Sequence, residues 1–309
     1  MNQITSHILM VRPAHFGYNE ETAASNAFQQ PNAAGVSPAQ IAAGAIEEFD
    51  QMVLLLRGAG VDVIVEQDSD QPLKTDAVFP NNWVTFHENG AIVTYPMLSP
   101  NRRLERREEI IQSITSRFHM KNRYRLEDAE LDGIFLEGTG SLILDRPNRL
   151  AYACISPRTD RELLRQFGLA LGFTPVPFDA VDPNGQAIYH TNVMMALGTS
   201  FVVICLDSVT DPGERRLLLR HFEATGKEVI EISFAQMMAF AGNMLQVKGQ
   251  SPRGLLVMSQ QAFRSLRPEQ ISRLEAHTDL LPVPLYTIEQ YGGGSARCMM
   301  AEVFLPEQG

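Results

Sequence analysis

The residue best suited to covalent chemistry in this 309-residue chain is Cys298, near the C-terminus. It follows the segment Tyr291–Arg297, whose three consecutive glycines allow the backbone to approach a ligand closely. The charge of Arg297 would favour a thiolate if it lay beside the sulfur, although strand alternation favours placing it on the opposite, solvent-facing side. Cys298 is therefore either a nucleophile or a cysteine that only packs at the start of a strand.

The other two cysteines have a different setting. Cys154 and Cys205 lie within the apolar runs AYACI and VVICL, which predicts buried and inert thiols. An odd number of cysteines without a CxxC spacing argues against a disulfide framework and a structural zinc site.

A thiolate nucleophile needs a proton carrier, and histidine is the usual one. His190, in the segment HTN, immediately precedes a predicted strand. Four further histidines lie in a turn or on helices with charged neighbours and are expected to be solvated: His87, His119, His221 and His277. His190 is thus the candidate, with a non-catalytic histidine as the alternative.

The elements that must position these residues recur along the chain. A capping box at Ser37–Gln40 opens the first predicted helix, which continues to Gly58. The other predicted helices span 102–118, 159–172, 211–226 and 268–277. A strand follows each helix, and hairpins are predicted at 83–95, 140–155, 193–206 and 244–258.

These elements indicate five repeated units. The last predicted strand, 299–305, has no hairpin after it, and the N-terminal strand 7–11 is expected to complete that unit. Five strand–helix units closed into a ring would leave no open sheet edge. The alternative is a non-repeating α/β fold with evenly spaced elements. In a ring, the polar residues before each hairpin converge on one central pocket: Asn82, Glu137, His190, Asn243 and Cys298.

Composition excludes several classes of function. With 36 acidic and 26 basic side chains the net charge is −10, and no basic stripe suits a nucleic acid. The apolar runs are shorter than the ~18 residues of a membrane helix, and no secretion signal opens the chain. We expect a cytoplasmic protein with no nucleic-acid or membrane partner, and the sequence leaves a homo-oligomer open. Motifs of serine hydrolases, zinc proteases and nucleotide-binding loops are absent from the sequence.

Four motifs in order resemble the guanidino-group-modifying enzymes, the pentein or amidinotransferase superfamily. They are Asp76–Trp83 (DAVFPNNW), Leu136–Ser141 (LEGTGS), His190–Asn192 (HTN) and Arg297–Cys298, and the likeness covers roughly residues 6 to 305. The chain is similar to dimethylarginine dimethylaminohydrolase and arginine deiminase. It is most similar, from its opening through FGYNEE and FPNNW, to bacterial citrulline-utilisation hydrolases. The resemblance implies an α/β fold, a five-bladed αβ-propeller with pseudo-five-fold ββαβ repeats, in one catalytic domain over residues 1–309.

The resemblance also implies roles for individual residues. Cys298 becomes the nucleophile, His190 the general acid and base, and Glu137 the carboxylate that holds a substrate nitrogen. Asp76 becomes a second pocket carboxylate. Arg158, in SPRT, matches an arginine that grips the substrate α-carboxylate, and Arg102 or Arg103, in PNRRLE, is a weaker match. Surface arginines that open helices are the alternative.

Two departures from the family pattern bear on the substrate. Asn82 stands where related enzymes clamp a guanidinium with an aspartate, and Asn192 stands where deiminases have His-x-Asp. An amide cannot neutralise a cation, but it can donate to a ureido oxygen. We therefore predict citrulline as substrate, with Asn82, Asn192 and Asn243 as binding residues, although Glu137 and Asp76 could still hold a cation.

The predicted activity is hydrolysis of a C–N bond through a covalent intermediate, S-carbamoyl from citrulline or S-amidino from arginine. Citrulline would give ornithine, carbon dioxide and ammonia. The alternatives are arginine deiminase, dimethylarginine dimethylaminohydrolase and an amidinotransferase, in which an amine replaces water. A non-enzymatic ribosome anti-association factor shares the propeller, but it does not need the cysteine and histidine present here. The resemblance implies a small-molecule substrate and no metal or organic cofactor.

Overall fold

The computed structural model describes residues 1–23, 26, 28–31 and 35–308. Over these residues, fifteen strands form five separate three-stranded sheets. The strands are β1 (His7–Arg12), β2 (Asp62–Gln67), β3 (Val84–Phe86), β4 (Ala91–Thr94), β5 (Asn122–Arg125), β6 (Ile143–Asp145), β7 (Leu150–Cys154), β8 (Thr174–Phe178), β9 (Met195–Leu197), β10 (Phe201–Ile204), β11 (Glu228–Glu231), β12 (Leu245–Val247), β13 (Leu255–Ser259), β14 (Asp279–Val283) and β15 (Ala301–Glu302).

All five sheets share one topology. A hairpin pairs two strands antiparallel, and the second strand then pairs parallel with a third, as in β3–β4–β5. The parallel partner is reached through a helical crossover, which parallel pairing requires. In the fifth sheet β1 lies between β15 and β2, with Leu9 opposite Ala301. The prediction that the N-terminal strand completes the last unit is therefore confirmed.

Eleven α-helices accompany the sheets over the described residues. They are α1 (Glu20–Ala23), α2 (Pro38–Gly58), α3 (Glu108–Arg117), α4 (Gly138–Ser141), α5 (Arg161–Leu171), α6 (Thr191–Met194), α7 (Pro212–Ala224), α8 (Phe234–Met238), α9 (Gln260–Ser265), α10 (Pro268–His277) and α11 (Tyr286–Gly292). The capping box at Ser37 and Gln40 and the span of the first predicted helix are confirmed in α2.

The predicted helix over 102–118 is wrong as one continuous element. Residues Pro100–Glu105 form a 3₁₀ helix, and α3 begins only at Glu108. The intervening arginines have non-helical backbone angles, and their side chains pair with residues elsewhere in the chain. Arg106 pairs with Glu130 at 2.6 Å, and Arg107 lies 3.6 Å from Asp68.

The core lies between the sheets and the long helices. The buried face of α2 carries Ile41, Phe49, Met52 and Leu56, which pack with residues of β1, β2 and β13. Burying one such side chain contributes about 1.5–3 kcal/mol. The first strands of neighbouring hairpins also meet one another: β6 contacts β9, β9 contacts β12, and β15 contacts β3.

Two expectations about polar residues are corrected. Arg297 is not solvent-facing: it is buried, donates to the Met300 carbonyl at 2.8 Å, and pairs with Glu302 at 2.9 Å. His87 is buried rather than solvated and bonds Thr85 Oγ1 at 2.9 Å.

The predicted last strand is likewise shorter than expected. Only Ala301 and Glu302 pair as a strand, because turns bond Cys298 N to Ser295 O and Met299 N to Ala296 O. Within the described residues, no helix has the length and apolar character needed to cross a membrane.

Candidate active site

Cys298 lies in the turn before β15, with 7% of its surface exposed. Two side-chain amides donate to its sulfur: Asn243 Nδ2 at 3.2 Å and Asn192 Nδ2 at 3.4 Å. Neutral donors stabilise negative charge on sulfur, because hydrogen bonds to the charged form favour that form. The two amides thus prepare the sulfur to carry charge during a nucleophilic attack.

The chain around Asn243 holds its amide toward the sulfur. Phe240 adopts a left-handed φ of +62°, and Gly242 has no room for a Cβ against the Val193 carbonyl. Asn243 Oδ1 accepts from the Arg297 backbone N–H at 3.1 Å. That bond fixes which end of the amide is the oxygen, so Nδ2 is the end nearer to Cys298 Sγ, at 3.2 Å against 3.6 Å for Oδ1.

His190, at the N-terminus of α6, pairs with Glu137 through Nε2 and Oε2 at 2.7 Å. Burial lowers the pKa of His190 to about 4, although the hydrogen bond to Glu137 opposes this shift. His190 is therefore neutral at pH 7. A carboxylate can only accept, so Nε2 carries the ring proton and the other ring nitrogen is unprotonated.

Glu137 is fully buried immediately before α4. Burial acts to raise its pKa, but the Arg158 guanidinium and the His190 hydrogen bond hold that pKa well below the usual range for glutamate. The Leu98 backbone N–H donates to Oε1 at 2.9 Å, and Arg158 Nη1 lies 3.4 Å from Oε2. Glu137 is thus an ionised carboxylate of fixed orientation.

The glycines of α4 allow a close approach to the site. Gly138 has a φ of +46°, and a Cβ there would lie 2.8 Å from the Asn82 carbonyl oxygen. A Cβ on Gly140 would lie 2.8 Å from His190 Nδ1 and would also collide with Asn82 Nδ2. Any larger residue at Gly140 would displace His190 and Asn82 together.

Asn82 is held by the buried Arg102, which donates to Asn82 Oδ1 at 3.1 Å. The amide is therefore oriented, and its Nδ2 is buried with no hydrogen-bond partner among the described residues. Arg102 also forms a two-pronged pair with Glu105, at 2.8 and 2.9 Å. Burial raises the pKa of Glu105 to about 7, against the opposing charge of Arg102.

Asp76 is a second buried carboxyl group in this region. Its Oδ2 accepts from Asn19 Nδ2 at 2.8 Å and lies 3.7 Å from Arg102 Nε. Burial raises the pKa of Asp76, against the charge of Arg102. Its Oδ1 has no hydrogen-bond partner in the described part of the chain, so it is an acceptor still available to a ligand.

Arg158 precedes α5 and faces the same cavity. Its guanidinium lies 5.1 Å from the centre of the Tyr189 ring, and that ring packs on His190 with a centroid distance of 4.8 Å. The Tyr189 hydroxyl donates to the Gly293 carbonyl at 3.1 Å. By contrast, Arg103 donates to the Met97 carbonyl at 3.0 Å, so Arg102 is the arginine of that pair that faces the cavity.

One cavity brings most of the predicted residues together. Cys298, His190, Asp76, Asn82 and Arg158 line it, while Glu137, Asn192 and Asn243 lie directly behind its wall. The remaining lining residues are Thr22, Asn26, Phe79, Arg102, Tyr189 and Gly292–Gly294.

Sequence reasoning missed Tyr189 and the pairing of Glu105 with Arg102. Tyr189 directly precedes His190, and Glu105 ends the PNRRLE motif, so both stood beside residues already singled out. No three His, Cys, Asp or Glu side chains among the described residues come together as a metal site.

The chain matches the family model of N,N-dimethylarginine dimethylhydrolase, eukaryotic, over residues 12–305. No curated protein matches it. Its fold resembles the N-terminal domain of ArgZ, an arginine dihydrolase of cyanobacteria, with a TM-score of 0.74, 18% identity, and coverage of 97% of this chain and 98% of that chain.

Two further solved structures share the fold. A complex of an AgrE mutant with L-arginine has a TM-score of 0.75 and 18% identity, covering 98% of this chain and 40% of that one. A dimethylarginine dimethylaminohydrolase variant, as an adduct with S-methyl-L-thiocitrulline, has a TM-score of 0.68 and 17% identity, covering 97% and 99% of the two chains.

Proposed function

The chain belongs to the N,N-dimethylarginine dimethylhydrolase family, within the superfamily of guanidino-group-modifying enzymes, and on that premise we propose that it hydrolyses citrulline. It is a hydrolase of non-peptide C–N bonds that acts on arginine derivatives. The proposed reaction converts citrulline and water to ornithine, carbon dioxide and ammonia.

The observation that carries the choice of citrulline is the unpaired amide nitrogen of Asn82. Arg102 takes up the amide oxygen, which leaves two N–H donors beside His190 without an acceptor among the described residues. A buried donor without a partner costs about 1–3 kcal/mol, and a ligand that supplies an oxygen removes that cost. The ureido group has such an oxygen, whereas a guanidinium presents only N–H donors.

The charges of the cavity also favour a neutral side chain. Glu137 faces Arg158 and His190, Glu105 faces Arg102, and Asp76 lies 3.7 Å from Arg102. Glu105 and Asp76 share Arg102, and burial raises the pKa of both carboxyl groups, so protonation of one of them leaves the set without surplus charge. Adding an uncompensated guanidinium to this set costs several kcal/mol.

In the first half of the proposed reaction, neutral His190 takes the Cys298 thiol proton on its unprotonated nitrogen. The sulfur, with Asn192 and Asn243 donating to it, attacks the ureido carbon. Asn82 donates to the ureido oxygen as negative charge develops there. The C–N bond to the ornithine nitrogen breaks, and protonated His190 gives its proton to that nitrogen.

In the second half, water hydrolyses the S-carbamoyl enzyme. His190, neutral again, removes a proton from water, and hydroxide attacks the carbamoyl carbon. The C–S bond breaks, Cys298 regains its proton, and the released carbamic acid divides into carbon dioxide and ammonia. Glu137 holds a substrate nitrogen and orients His190, and Arg158 pairs with the substrate α-carboxylate.

A second candidate substrate is arginine, because Asp76 Oδ1 offers an acceptor that a guanidinium N–H would satisfy. The fold neighbours named above include an arginine dihydrolase and a complex with L-arginine. Removal of ammonia from arginine through an S-amidino enzyme gives citrulline, so the two substrates belong to successive hydrolyses at one cysteine. Methylated arginines and transfer to an amine are the remaining alternatives.

We also propose that the five sheets are the blades of one closed propeller and that residues 1–309 form a single catalytic domain. The shared topology of the sheets and the contacts between their first strands support this proposal. Convergence of residues from four separate units on one cavity supports it as well.

The test is to incubate the protein separately with citrulline, arginine, dimethylarginine and agmatine, and to assay ornithine, citrulline and ammonia. We expect ornithine and ammonia from citrulline, and neither from the Cys298→Ala and His190→Ala variants. In Asn82→Asp we expect the ratio of kcat/KM for citrulline to that for arginine to fall about tenfold or more, since an anion replaces the donor. Turnover of arginine but not of citrulline by the unaltered protein would refute the choice of substrate.

A further inference from the structure

A buried carboxyl group outside the cavity is connected to Cys298. Glu289 lies in α11 with 2% of its surface exposed, and Ser295 Oγ donates to its Oε1 at 2.6 Å. Its other oxygen, Oε2, is buried with no hydrogen-bond partner among the described residues. Helix α2 packs against α11, and the charge of its Glu48 acts on Glu289. Glu48 itself accepts from the N–H groups of Thr287 and Ile288.

Two hydrogen bonds link Glu289 to the reactive cysteine. The side chain of Ser295 bonds Glu289, and the carbonyl of the same serine accepts from the Cys298 N–H at 2.9 Å. Between them, Gly292–Gly294 line the cavity, and a Cβ on Gly294 would lie 2.8 Å from the Phe79 ring. The segment 292–298 therefore shapes one wall of the cavity and also carries the sulfur.

A carboxyl group is a costly choice at this position. Burial and the neighbouring charge of Glu48 raise the pKa of Glu289 to about 7. A glutamine of the same shape would accept the Ser295 hydroxyl with no charge to bury. Groups that are costly to bury and hydrogen-bonded to a reactive segment are candidates for a function.

We propose that Glu289 is a positioning residue that holds segment 292–298 around the Cys298 sulfur more firmly when ionised than when protonated. As a carboxylate it accepts a charge-assisted bond from the Ser295 hydroxyl. As an acid it carries the proton on Oε2, the oxygen without a partner, and the bond from Ser295 to Oε1 becomes a weaker, neutral one. The enzyme consequently orders its nucleophile most firmly on the alkaline side of neutrality. The inference depends on the proposed function only in taking Cys298 as the nucleophile.

The experiment measures alkylation of Cys298 by iodoacetamide at pH 6 and pH 8, with the modified peptide quantified by mass spectrometry. Glu289→Gln mimics the protonated state at every pH. The quantity compared is the alkylation rate of this variant divided by that of the unaltered protein. We expect this ratio to be near one at pH 6 and about three or more at pH 8, because a looser segment opens more often. The ratio cancels the pH dependence of thiol ionisation itself.

Matched variants separate this role from a structural one. Glu47→Gln makes the same change at an exposed position of α2 and should leave the ratio at one at both pH values. Ser295→Ala, which removes the connecting hydroxyl, should raise the alkylation rate at both pH values, and more at pH 8, where the bond that it removes is the stronger one. A Glu289→Gln ratio that is equal at pH 6 and pH 8 would overturn the proposal.

Thermal unfolding of each variant checks that it is folded, and a neutral glutamine of equal shape is expected to fold. Failure of all the tested substrates, with the pH-dependent ratio intact, would reject the proposed function and leave this inference standing. Turnover of citrulline, together with a Glu289→Gln alkylation-rate ratio that is the same at pH 6 and pH 8, would support the proposed function and reject this inference.

Discussion

Thr191 and Asn192 are consecutive residues of α6, yet they contact cysteines with opposite properties. The Thr191 hydroxyl lies 3.5 Å from Cys154 Sγ, and the Asn192 amide donates to Cys298 Sγ at 3.4 Å. Burial raises the pKa of Cys154 to about 12, and that sulfur itself donates to the Ile188 carbonyl at 3.4 Å. Cys298 instead accepts from a second amide, that of Asn243, and borders the cavity.

This difference shows that burial alone does not select the reactive cysteine. All three cysteines are free and buried, and burial also raises the pKa of Cys205, to about 11. What distinguishes Cys298 is the set of donors directed at its sulfur and the cavity beside it. Each sulfur has an acceptor nearby, the Ile188 carbonyl for Cys154 and Asn243 Oδ1 for Cys298. Cys154 accepts from one hydroxyl, whereas Cys298 accepts from two amides, which favour negative charge on its sulfur.

The largest expected effect separates these two cysteines directly. Cys298→Ala should lower kcat by roughly 10⁴-fold or more, because the covalent step is lost. Cys154→Ala should keep kcat and lower the free energy of unfolding by about 1–2 kcal/mol, because it leaves a small cavity in the core. Citrulline turnover and urea unfolding measure the two outcomes. Comparable loss of turnover in both variants would remove the distinction.

The separation of the cysteines could be read from the sequence, because it depends on local context. Apolar runs around Cys154 and Cys205 indicate burial, and glycines before Cys298 indicate close backbone approach. Helices α2 and α10 were predictable for the same reason, since their caps and apolar spacing are local. Pairs between side chains far apart in the sequence could not be predicted. One example is Arg106, which lies where the predicted helix 102–118 is interrupted and pairs with Glu130.

The two buried histidines extend the comparison. Burial lowers the pKa of His87 well below its usual value, with a further contribution from Arg146, much as burial lowers that of His190. The sequence placed His87 in a turn, which predicts exposure, but could not show that this turn packs against Phe167 and Phe173. A histidine kept neutral is thus not a mark of catalysis unless a carboxylate and a cavity accompany it.

The second prediction concerns acid stability. A histidine with a lowered pKa in the folded state binds fewer protons than in the unfolded chain, so stability is lost as pH falls below about 6.5. His87→Gln should reduce by about 2 kcal/mol the loss of unfolding free energy between pH 7 and pH 4.5, and should retain kcat at pH 7. Urea unfolding at the two pH values measures this.

Two control variants accompany this measurement. His119→Gln, at an exposed position, should lose the same unfolding free energy between pH 7 and pH 4.5 as the unaltered protein. His190→Gln should abolish turnover. If His87→Gln and His119→Gln lost the same unfolding free energy between pH 7 and pH 4.5, the assignment of His87 as a buried neutral group would be contradicted.

The smallest expected effect tests the amides themselves. Asn243→Asp keeps the acceptor for the Arg297 N–H but replaces the donor at 3.2 Å from the Cys298 sulfur with a carboxylate. Like charges disfavour a thiolate, so the midpoint of the pH profile for Cys298 alkylation should rise by about one unit and the rate at pH 7 should fall about tenfold. Asn184→Asp, at an exposed position, adds the same charge and should leave the profile unchanged. If the two variants gave identical profiles, the reactivity of Cys298 would depend on the cavity alone, and its contrast with Cys154 would be one of access rather than of hydrogen bonding.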